Sequence, residues 1–160
     1  DSTFDLVKKK PNKKFKRFDF KKFNEYLKKE LKIKKLDYEK NETVKFDEIF
    51  KLSKIAFDRY KKKIKELNIN HNTDILLDVE NFYILISDKN DELIKIEKNK
   101  FKKPKKYVIY KVDKRLLKQI LKGPRFAHWN NAEIGSHIKF FREPNMYDRS
   151  VYYGMNFFHT

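Results

Sequence analysis

The chain has 160 residues, a formal net charge of +17 at pH 7 and no cysteine. This length suits one domain with a core of its own, and 15 Phe and 9 Tyr side chains supply more apolar surface than a disordered segment carries. The composition excludes a disulfide framework and thiolate chemistry, and with no apolar run of about 18 residues and no signal peptide, we expect a cytoplasmic protein without a transmembrane segment.

The first 19 residues are strongly basic and contain the run KKKPNKKFKR. A proline interrupts this run, so we predict an extended arm over residues 1–19, followed by a single α+β domain over residues 20–160. Clustered cations bind polyanions through the release of counterions. The candidate anion-binding residues of the arm are Lys8, Lys9, Lys10, Lys13, Lys14, Lys16 and Arg17.

Two helices are predicted after the arm. Apolar residues at positions 20, 23, 27 and 31 have helical spacing, which indicates a short amphipathic helix from Phe20. A second apolar stripe runs along residues 46–67 and predicts a longer helix, which we expect to be the main helix on the core.

The spacing of the apolar residues then becomes that of strands. The predicted strands cover residues 75–79, 82–87, 92–97 and 107–112, of which the second and third form a hairpin. Asp113 should cap a helix that Gly123 and Pro124 end. The alternation of residues 134–142 indicates another strand. Residues 151–158, which are rich in aromatic side chains, should form a strand or a helix. We therefore expect an α+β fold, with N-terminal helices packed on an antiparallel or mixed sheet and one inserted helix.

The 38 residues from Gly123 onwards differ from the rest of the chain. They contain four basic and three acidic residues, a net charge of +1, which leaves +16 for the first 122 residues. They also contain all three glycines, the only Trp and three of the four His. We expect a ligand-binding or partner-binding surface here. Its candidate contact residues are His128, Trp129, Asn130, Asn131, Glu133, His137 and Arg142.

Part of this set could carry metal or acid–base chemistry. A strand would place Glu133, Gly135 and His137 on one face, where the His and Glu side chains could bind a metal or exchange a proton. The spacing does not match HExxH, however, and no third ligand is marked. The simpler interpretation is a polar loop with Trp129 in the core. We therefore assign neither a catalytic residue nor a metal ligand to the chain, and no cofactor.

Arg142 is an exception in a chain whose basic residues are 34 Lys and 6 Arg. An arginine placed between aromatic residues can bind a carboxylate or a phosphate with two parallel hydrogen bonds. The alternative is an ion pair within the domain, with Glu133, Glu143 or Asp148.

One stretch carries a resemblance to a known family. It has a strand from Tyr110 that ends at Asp113, the helical run LLKQIL, the sequence HWNNAEIGSH over residues 128–137, and Arg142 followed by Pro144. This order resembles the C-terminal portion of proteins in which a metallo-β-lactamase-fold enzyme, of the CMP-N-acetylneuraminate hydroxylase-like group, is followed by a small extra domain. The resemblance covers roughly the last 50 residues.

The resemblance implies a sterol-carrier-protein-like α+β fold, in which helices cover a sheet and can enclose an apolar tunnel. The HxHxDH metal motif of the metallo-β-lactamase core is absent from this sequence, where His71 is the only histidine before His128. The leading hypothesis is therefore a non-catalytic accessory domain, which packs on or completes a metal-dependent enzyme. Any metal would belong to that larger enzyme, on a partner chain or on a preceding part of the same protein.

Two alternatives remain open. The first is a carrier of apolar small ligands, with Phe and Tyr side chains lining a tunnel. The second is a domain that binds nucleic acid or an anionic surface through its basic residues. We do not favour the second, because Lys also becomes abundant when a coding sequence is AT-rich, and Arg, which reads phosphates and guanine edges, is scarce. A homo-oligomer is a further possible assembly.

Overall fold

The structure, a computed structural model, describes residues 18–40 and 43–160, Val7, and the backbone of two short strands nearer the N-terminus. The chain divides into two compact units, residues 1–36 and 37–160. Residues 20–36, which the sequence analysis assigns to the α+β domain, group with the N-terminal unit in this division.

The described residues of the N-terminal unit form two paired strands and one helix. Strand β1 (Phe4–Asp5) is antiparallel to strand β2 (Lys10–Pro11). Helix α1 covers Phe20–Tyr26 and continues as a single π-helical turn over Leu27–Leu31. The helix predicted from the apolar spacing is therefore present, and none of its residues is buried.

The second unit begins with a 3-10 turn (Asp37–Lys40) and the longest helix, α2 (Phe46–Glu66). The apolar stripe predicts this helix, and the structure confirms it. Its buried side chains recur every three or four residues, as expected for a helix with one face on a core. They are Phe46, Ile49, Ser53, Ala56, Phe57, Tyr60 and Ile64.

A five-stranded sheet forms the centre of this unit. Its strands are β3 (Asp74–Val79), β4 (Phe82–Ile86), β5 (Ile94–Glu97), β6 (Tyr107–Val112) and β7 (Ile138–Glu143). The order across the sheet is β5-β4-β3-β6-β7. Only the β3–β6 pair is parallel, so the sheet is mixed. The predicted α+β fold class is confirmed.

Among the described residues, no helix combines the length and apolar character needed to span a membrane.

Helix α3 (Lys114–Leu121) follows β6 as predicted. The Asp113 carboxylate caps it by accepting a hydrogen bond of 2.8 Å from the backbone N–H of Arg115. Four apolar side chains of α3 are buried against the core. The helix ends before Gly123, whose φ of 104° lies in a region that only glycine adopts without strain.

The segment between α3 and β7 differs from the prediction. A second helix, α4 (Trp129–Ile134), lies there, so the insertion contains two helices rather than one. The strand predicted over residues 134–142 begins only at Ile138, because the chain first turns through Ser136, which has a φ of 58°. The last helix, α5 (Arg149–Met155), occupies part of the region predicted as a strand or a helix.

The two faces of the sheet are covered differently. Side chains of α2, α3, α4 and α5 join the core on one face, here called the inner face. On the outer face, Phe101 of the β5–β6 connection packs on the rings of Tyr83 and Tyr107, with centroids 4.9 and 6.0 Å away. One apolar residue from each strand forms a row across this face. The row consists of Ile94, Leu85, Leu76, Ile109 and Phe141.

Candidate functional site

Two neighbouring residues fix the start of helix α4: His128, which precedes the helix, and Trp129, its first residue. The Nδ1 atom of His128 accepts a hydrogen bond of 3.2 Å from the backbone N–H of Asn130 and so caps the helix. The indole N–H of Trp129 donates to the backbone carbonyl of Phe158 at 2.9 Å. Trp129 is buried, as the sequence indicates, whereas Asn130 and Asn131 are exposed on the first turn.

Glu133, Gly135 and His137 do not share the face of a strand, which was the condition for a metal or acid–base site formed by them. Glu133 lies in α4, and Gly135 is the residue that ends it. The reason is local: Trp129 and Ala132, three residues apart, both face the core, which a helix allows and a strand does not. A Cβ atom on Gly135 would lie 2.8 Å from Cδ2 of His137, so this tight turn requires glycine.

His137 lies apart from the glutamate and beside Tyr38. The Tyr38 hydroxyl is 3.4 Å from Nδ1 of His137, and the two rings meet edge to face with centroids 5.8 Å apart. The structure thus separates the seven predicted contact residues. His128 and Trp129 fix the start of α4, His137 packs on Tyr38, and the charge of Arg142 acts on the Glu133 carboxyl.

Arg142 lies on the inner face of strand β7, opposite Val108 of β6. Its guanidinium group packs on the rings of Phe140 and Tyr152, at 5.9 and 5.7 Å from their centroids. Asp148, a predicted ion-pair partner, instead pairs with Lys106 at 2.9 Å. Among the residues that the structure describes, Arg142 forms no ion pair within 4 Å, which leaves its hydrogen-bond donors free.

Two buried tyrosines near this site were not predicted from the sequence: Tyr152, which contacts Arg142, and Tyr110, which packs on Tyr152. Tyr110 is 2% exposed and Tyr152 is 7% exposed, and their ring centroids are 5.9 Å apart. Neither buried hydroxyl has a hydrogen-bond partner in the structure. Such groups are uncommon, because an unpaired buried hydroxyl costs about 1–3 kcal/mol. The alternation in YVIYKV indicates that Tyr110 faces the core, but not what its hydroxyl meets.

Electrostatics link these four residues into what we call the Arg142 cluster, which consists of Tyr110, Glu133, Arg142 and Tyr152. Burial raises the pKa of the Glu133 carboxyl above its ordinary value, and the charge of Arg142 opposes this shift. Burial also raises the pKa of both tyrosines. The cluster therefore combines an unpaired guanidinium, two neutral hydroxyls and a carboxyl group whose proton is held more tightly than usual.

A small recess adjoins the cluster between β7 and α5. Arg142, Tyr152, Lys106 and Met146 are among its lining residues, and its volume of about 10 Å³ has room for one water molecule. The Asp148 carboxylate lies at its rim, where it accepts a hydrogen bond of 3.0 Å from the Thr73 hydroxyl.

A second feature of the same segment is the edge of the sheet. Among the strands that the structure describes, β7 pairs only with β6, so it forms one edge of the sheet. Four large apolar side chains between residues 134 and 147 are exposed, and we call this set the β7 edge surface. They are Ile134 (83% exposed), Phe141 (54%), Met146 (67%) and Tyr147 (62%). They do not all lie on one side of the strand, because Phe141 belongs to the outer-face row whereas Tyr147 stacks on Tyr152.

The structure bears less on the remaining predicted residues. The side chains of Lys8, Lys9, Lys10, Lys13, Lys14, Lys16 and Arg17 lie outside the described residues. In the part of the chain that the structure describes, no group of three or more His, Asp or Glu is placed to bind a metal. Three large aromatic side chains, which could have lined an apolar tunnel, are instead packed in the core with almost no exposed surface. They are Tyr60, Tyr110 and Phe158.

Comparisons with known proteins identified no relative. No protein-family model matches the chain, and neither a curated protein nor a solved structure is similar to it.

Proposed function

We propose that this chain is a non-catalytic accessory domain, which packs on or completes a metal-dependent enzyme of the metallo-β-lactamase fold. The β7 edge surface is the observation that supports this proposal most. It lies in the segment that carries the resemblance to such accessory domains, and its four apolar side chains are exposed. Helices over one face of a five-stranded sheet agree with the sterol-carrier-protein-like arrangement that the resemblance implies.

The chemistry of the β7 edge surface suits a protein partner. Phe, Tyr and Met side chains are enriched in protein interfaces, and this segment exposes Phe141, Met146 and Tyr147 as well as Ile134. The segment from Gly123 has only seven charged residues among 38, four basic and three acidic, so few charged groups would have to be desolvated on binding. The rest of the chain, at +16, would face solvent or an acidic part of the partner.

The open side of strand β7 adds a second mode of contact. Backbone N–H and C=O groups at a sheet edge can pair with an added strand, which supplies affinity without sequence specificity. Side chains such as Phe141 would then supply the specificity. Under this proposal the metal and the reacting groups belong to the enzyme, and this domain supplies shape and contact.

The proposal can be tested by native mass spectrometry of the tagged chain, purified under mild conditions from the cells that make it. We expect a complex with a metalloprotein that contains HxHxDH, or a longer polypeptide that contains both. Phe141→Asp and Ile134→Asp should reduce the recovery of the metalloprotein. Ile55→Asp is the matched control, because Ile55 is an exposed residue of α2 (50%) away from the β7 edge surface.

Two results would contradict the proposal. One is a monomer with neither metal nor partner after purification of the unsubstituted chain. The other is an equal loss of the metalloprotein from the Ile55→Asp control, since that would show a general effect of a new surface charge. Circular dichroism of each variant would confirm that it remains folded.

A further inference from the structure

Strand β7 is an edge strand, and on its second side none of the strands that the structure describes pairs with it. At such an edge, every second residue directs its backbone N–H and C=O groups away from the sheet, where a further strand can pair with them. Beside this backbone, Phe140 is half-buried and Phe141 is exposed. Pro144, which has no N–H, follows the strand and limits such pairing to residues 138–143.

The sequence of β7, IKFFRE, is complementary to itself in the antiparallel direction. When two copies pair about a two-fold axis at Phe141, residue 139 of each copy lies opposite residue 143 of the other. Lys139 then faces Glu143 of the second copy, and both side chains are exposed on the outer face. Directly opposite residues of an antiparallel pair are close enough for such charges to attract. Because of the symmetry, this pair of charges forms twice.

Other registers lack this complementarity. A continuous sheet requires like faces to meet, so the two-fold axis must pass through one residue of β7. An axis at Lys139, Arg142 or Glu143 would place two like charges opposite each other, which is destabilising. An axis at Phe140 would place Lys139 opposite Phe141 of the second copy, where its charge has no partner. The charges of β7 therefore favour the axis at Phe141.

The same axis joins the apolar rows of the two outer faces. Phe141 ends the row that begins at Ile94, and in the paired sheet it would lie opposite Phe141 of the second copy. Opposite aromatic residues stabilise a sheet and remove apolar surface from water. Lys139 also gains a carboxylate on its open side, which offsets the repulsion from Lys111 on its other side. Pairing thus relieves two unfavourable features of the single chain.

We propose that the chain forms a symmetric dimer through β7, in which the two five-stranded sheets join into one continuous sheet. The net charge of +17 on each copy opposes association, but the 38-residue segment that contains β7 has only seven charged residues. The contact involves one short strand from each copy, which is less than a standard protein interface. We therefore expect a dissociation constant of about 0.1 mM and a monomer at low micromolar concentration.

This dimer does not rest on the accessory-domain proposal, because both of its surfaces belong to this chain. A second copy and the enzyme would compete for the open side of β7. The two proposals can fail separately, since the dimer is measured with the purified chain alone and the accessory role is measured by recovery of a metalloprotein.

Sedimentation equilibrium of the purified full chain, from about 5 µM to about 1 mM, tests the dimer. We expect a monomer at the lowest concentration and mainly a dimer at the highest. Lys139→Glu and Glu143→Lys should each weaken association about tenfold, because each substitution places two like charges opposite one another. Lys54→Glu, on the exposed face of α2, makes the same change of charge as Lys139→Glu and should not weaken association.

Mixing the two charge variants makes the test specific. In a heterodimer of Lys139→Glu with Glu143→Lys, position 139 of either copy again faces a charge of opposite sign at position 143. An equimolar mixture should therefore associate about as tightly as the unsubstituted chain, although each variant alone does not. A general effect of net charge would place the mixture between the two variants.

A single introduced cysteine tests the register, because the chain has none of its own. Phe141→Cys should form a disulfide-linked dimer under mild oxidation, since the axis brings position 141 of the two copies together. Lys139→Cys is the matched control. Its two copies of position 139 would lie about 13 Å apart along the strands, which is too far for a disulfide.

Four results would overturn the proposal. The first is a monomer at about 1 mM. The second is unchanged association of Lys139→Glu and Glu143→Lys, which would assign the contact to another surface. The third is a mixture that associates no better than its two components. The fourth is equal cross-linking of Phe141→Cys and Lys139→Cys. Circular dichroism identifies any variant that has unfolded, and if Phe141→Cys is one of them, the mixture of charge variants decides.

Discussion

Trp129 and Phe158 are joined by a buried hydrogen bond, in which the indole N–H donates to the backbone carbonyl at 2.9 Å. The two residues are 29 positions apart, and their rings also pack together with centroids 6.5 Å apart. This contact connects α4 to the last residues of the chain, which follow α5. It makes Trp129 more than a residue that fills the core, because the indole also satisfies a buried carbonyl.

Replacing Trp129 with Phe should therefore destabilise the fold. Phe keeps much of the apolar contact, but it leaves the Phe158 carbonyl unpaired and removes part of the ring volume. We expect a loss of about 2–3 kcal/mol in the free energy of unfolding. Urea unfolding followed by circular dichroism measures it. Phe126→Leu, at an exposed position, is the control and should change stability by less than about 0.5 kcal/mol.

The regular elements could be predicted from the sequence, but α4 could not. Helix α2 repeats its apolar spacing over several turns, and β6 with α3 has both a clear period and a capping Asp113. Helix α4 has only six residues, too few for a period to be distinguished from the alternation of a strand. Its limits are set by a histidine cap and by the close approach of Gly135 to His137.

The candidate site was predicted only in part, for a related reason. Arg142 could be chosen as a candidate site residue because Arg is rare in this chain, and Glu133 because it lies in the polar run over residues 128–137. Tyr110 and Tyr152 look like ordinary core residues, because a sequence pattern gives the face of a side chain but not the partner of its hydroxyl. The packing of three elements, β6, β7 and α5, brings these groups together.

Asp148 should make stability dependent on pH in the acid range. Burial raises the pKa of its carboxyl, but hydrogen bonds from Lys106 and Thr73 outweigh burial and lower the pKa below its ordinary value. A carboxyl with a lowered pKa in the folded state stabilises the protein above the pKa of the unfolded chain, about 3.9. This stabilisation is lost as the pH falls through the folded-state pKa.

The Asp148→Asn variant tests this pH dependence. Asn can still cap α5, but it has no charge to titrate. We expect the variant to be less stable by about 1 kcal/mol at pH 7 and to approach the unsubstituted chain as the pH falls through the lowered folded-state pKa of Asp148. Thermal unfolding at a series of pH values measures the difference. Asp58→Asn at an exposed site is the control, and an equal pH dependence of the difference for both variants would contradict the prediction.

Tyr60 and His71 form a buried polar contact that should also matter for stability. The Thr73 carbonyl, 3.2 Å from Nδ1 of His71, can only accept, so Nδ1 carries the proton. In the neutral ring Nε2 is then an acceptor, and the Tyr60 hydroxyl donates to it at 2.6 Å. Tyr60→Phe removes this hydrogen bond from a buried nitrogen, whose other polar neighbour is the Asp88 carboxylate at 3.7 Å.

We expect Tyr60→Phe to lower the free energy of unfolding by about 1–2 kcal/mol. Chemical denaturation at pH 7.5 measures this, and Tyr153→Phe, which removes a hydroxyl from an exposed ring, is the matched control. Equal stability of the two variants would show that the Tyr60 hydroxyl contributes nothing in the folded state. The ¹⁵N shifts of the His71 ring would independently report the proposed tautomer.

Lys111 and Lys139 lie directly opposite each other on the outer face of β6 and β7, and both are exposed. Like charges at such a pair repel, which weakens the attachment of the edge strand. Lys139→Glu replaces the repulsion with attraction and should stabilise the protein by about 0.5–1 kcal/mol at low salt. The gain should shrink at 1 M NaCl, because salt screens exposed charges.

Lys54→Glu, on the exposed face of α2, controls for the change in net charge. Urea unfolding of both variants at two salt concentrations separates the pairwise effect from the general one, and an equal gain in both would show that only net charge matters.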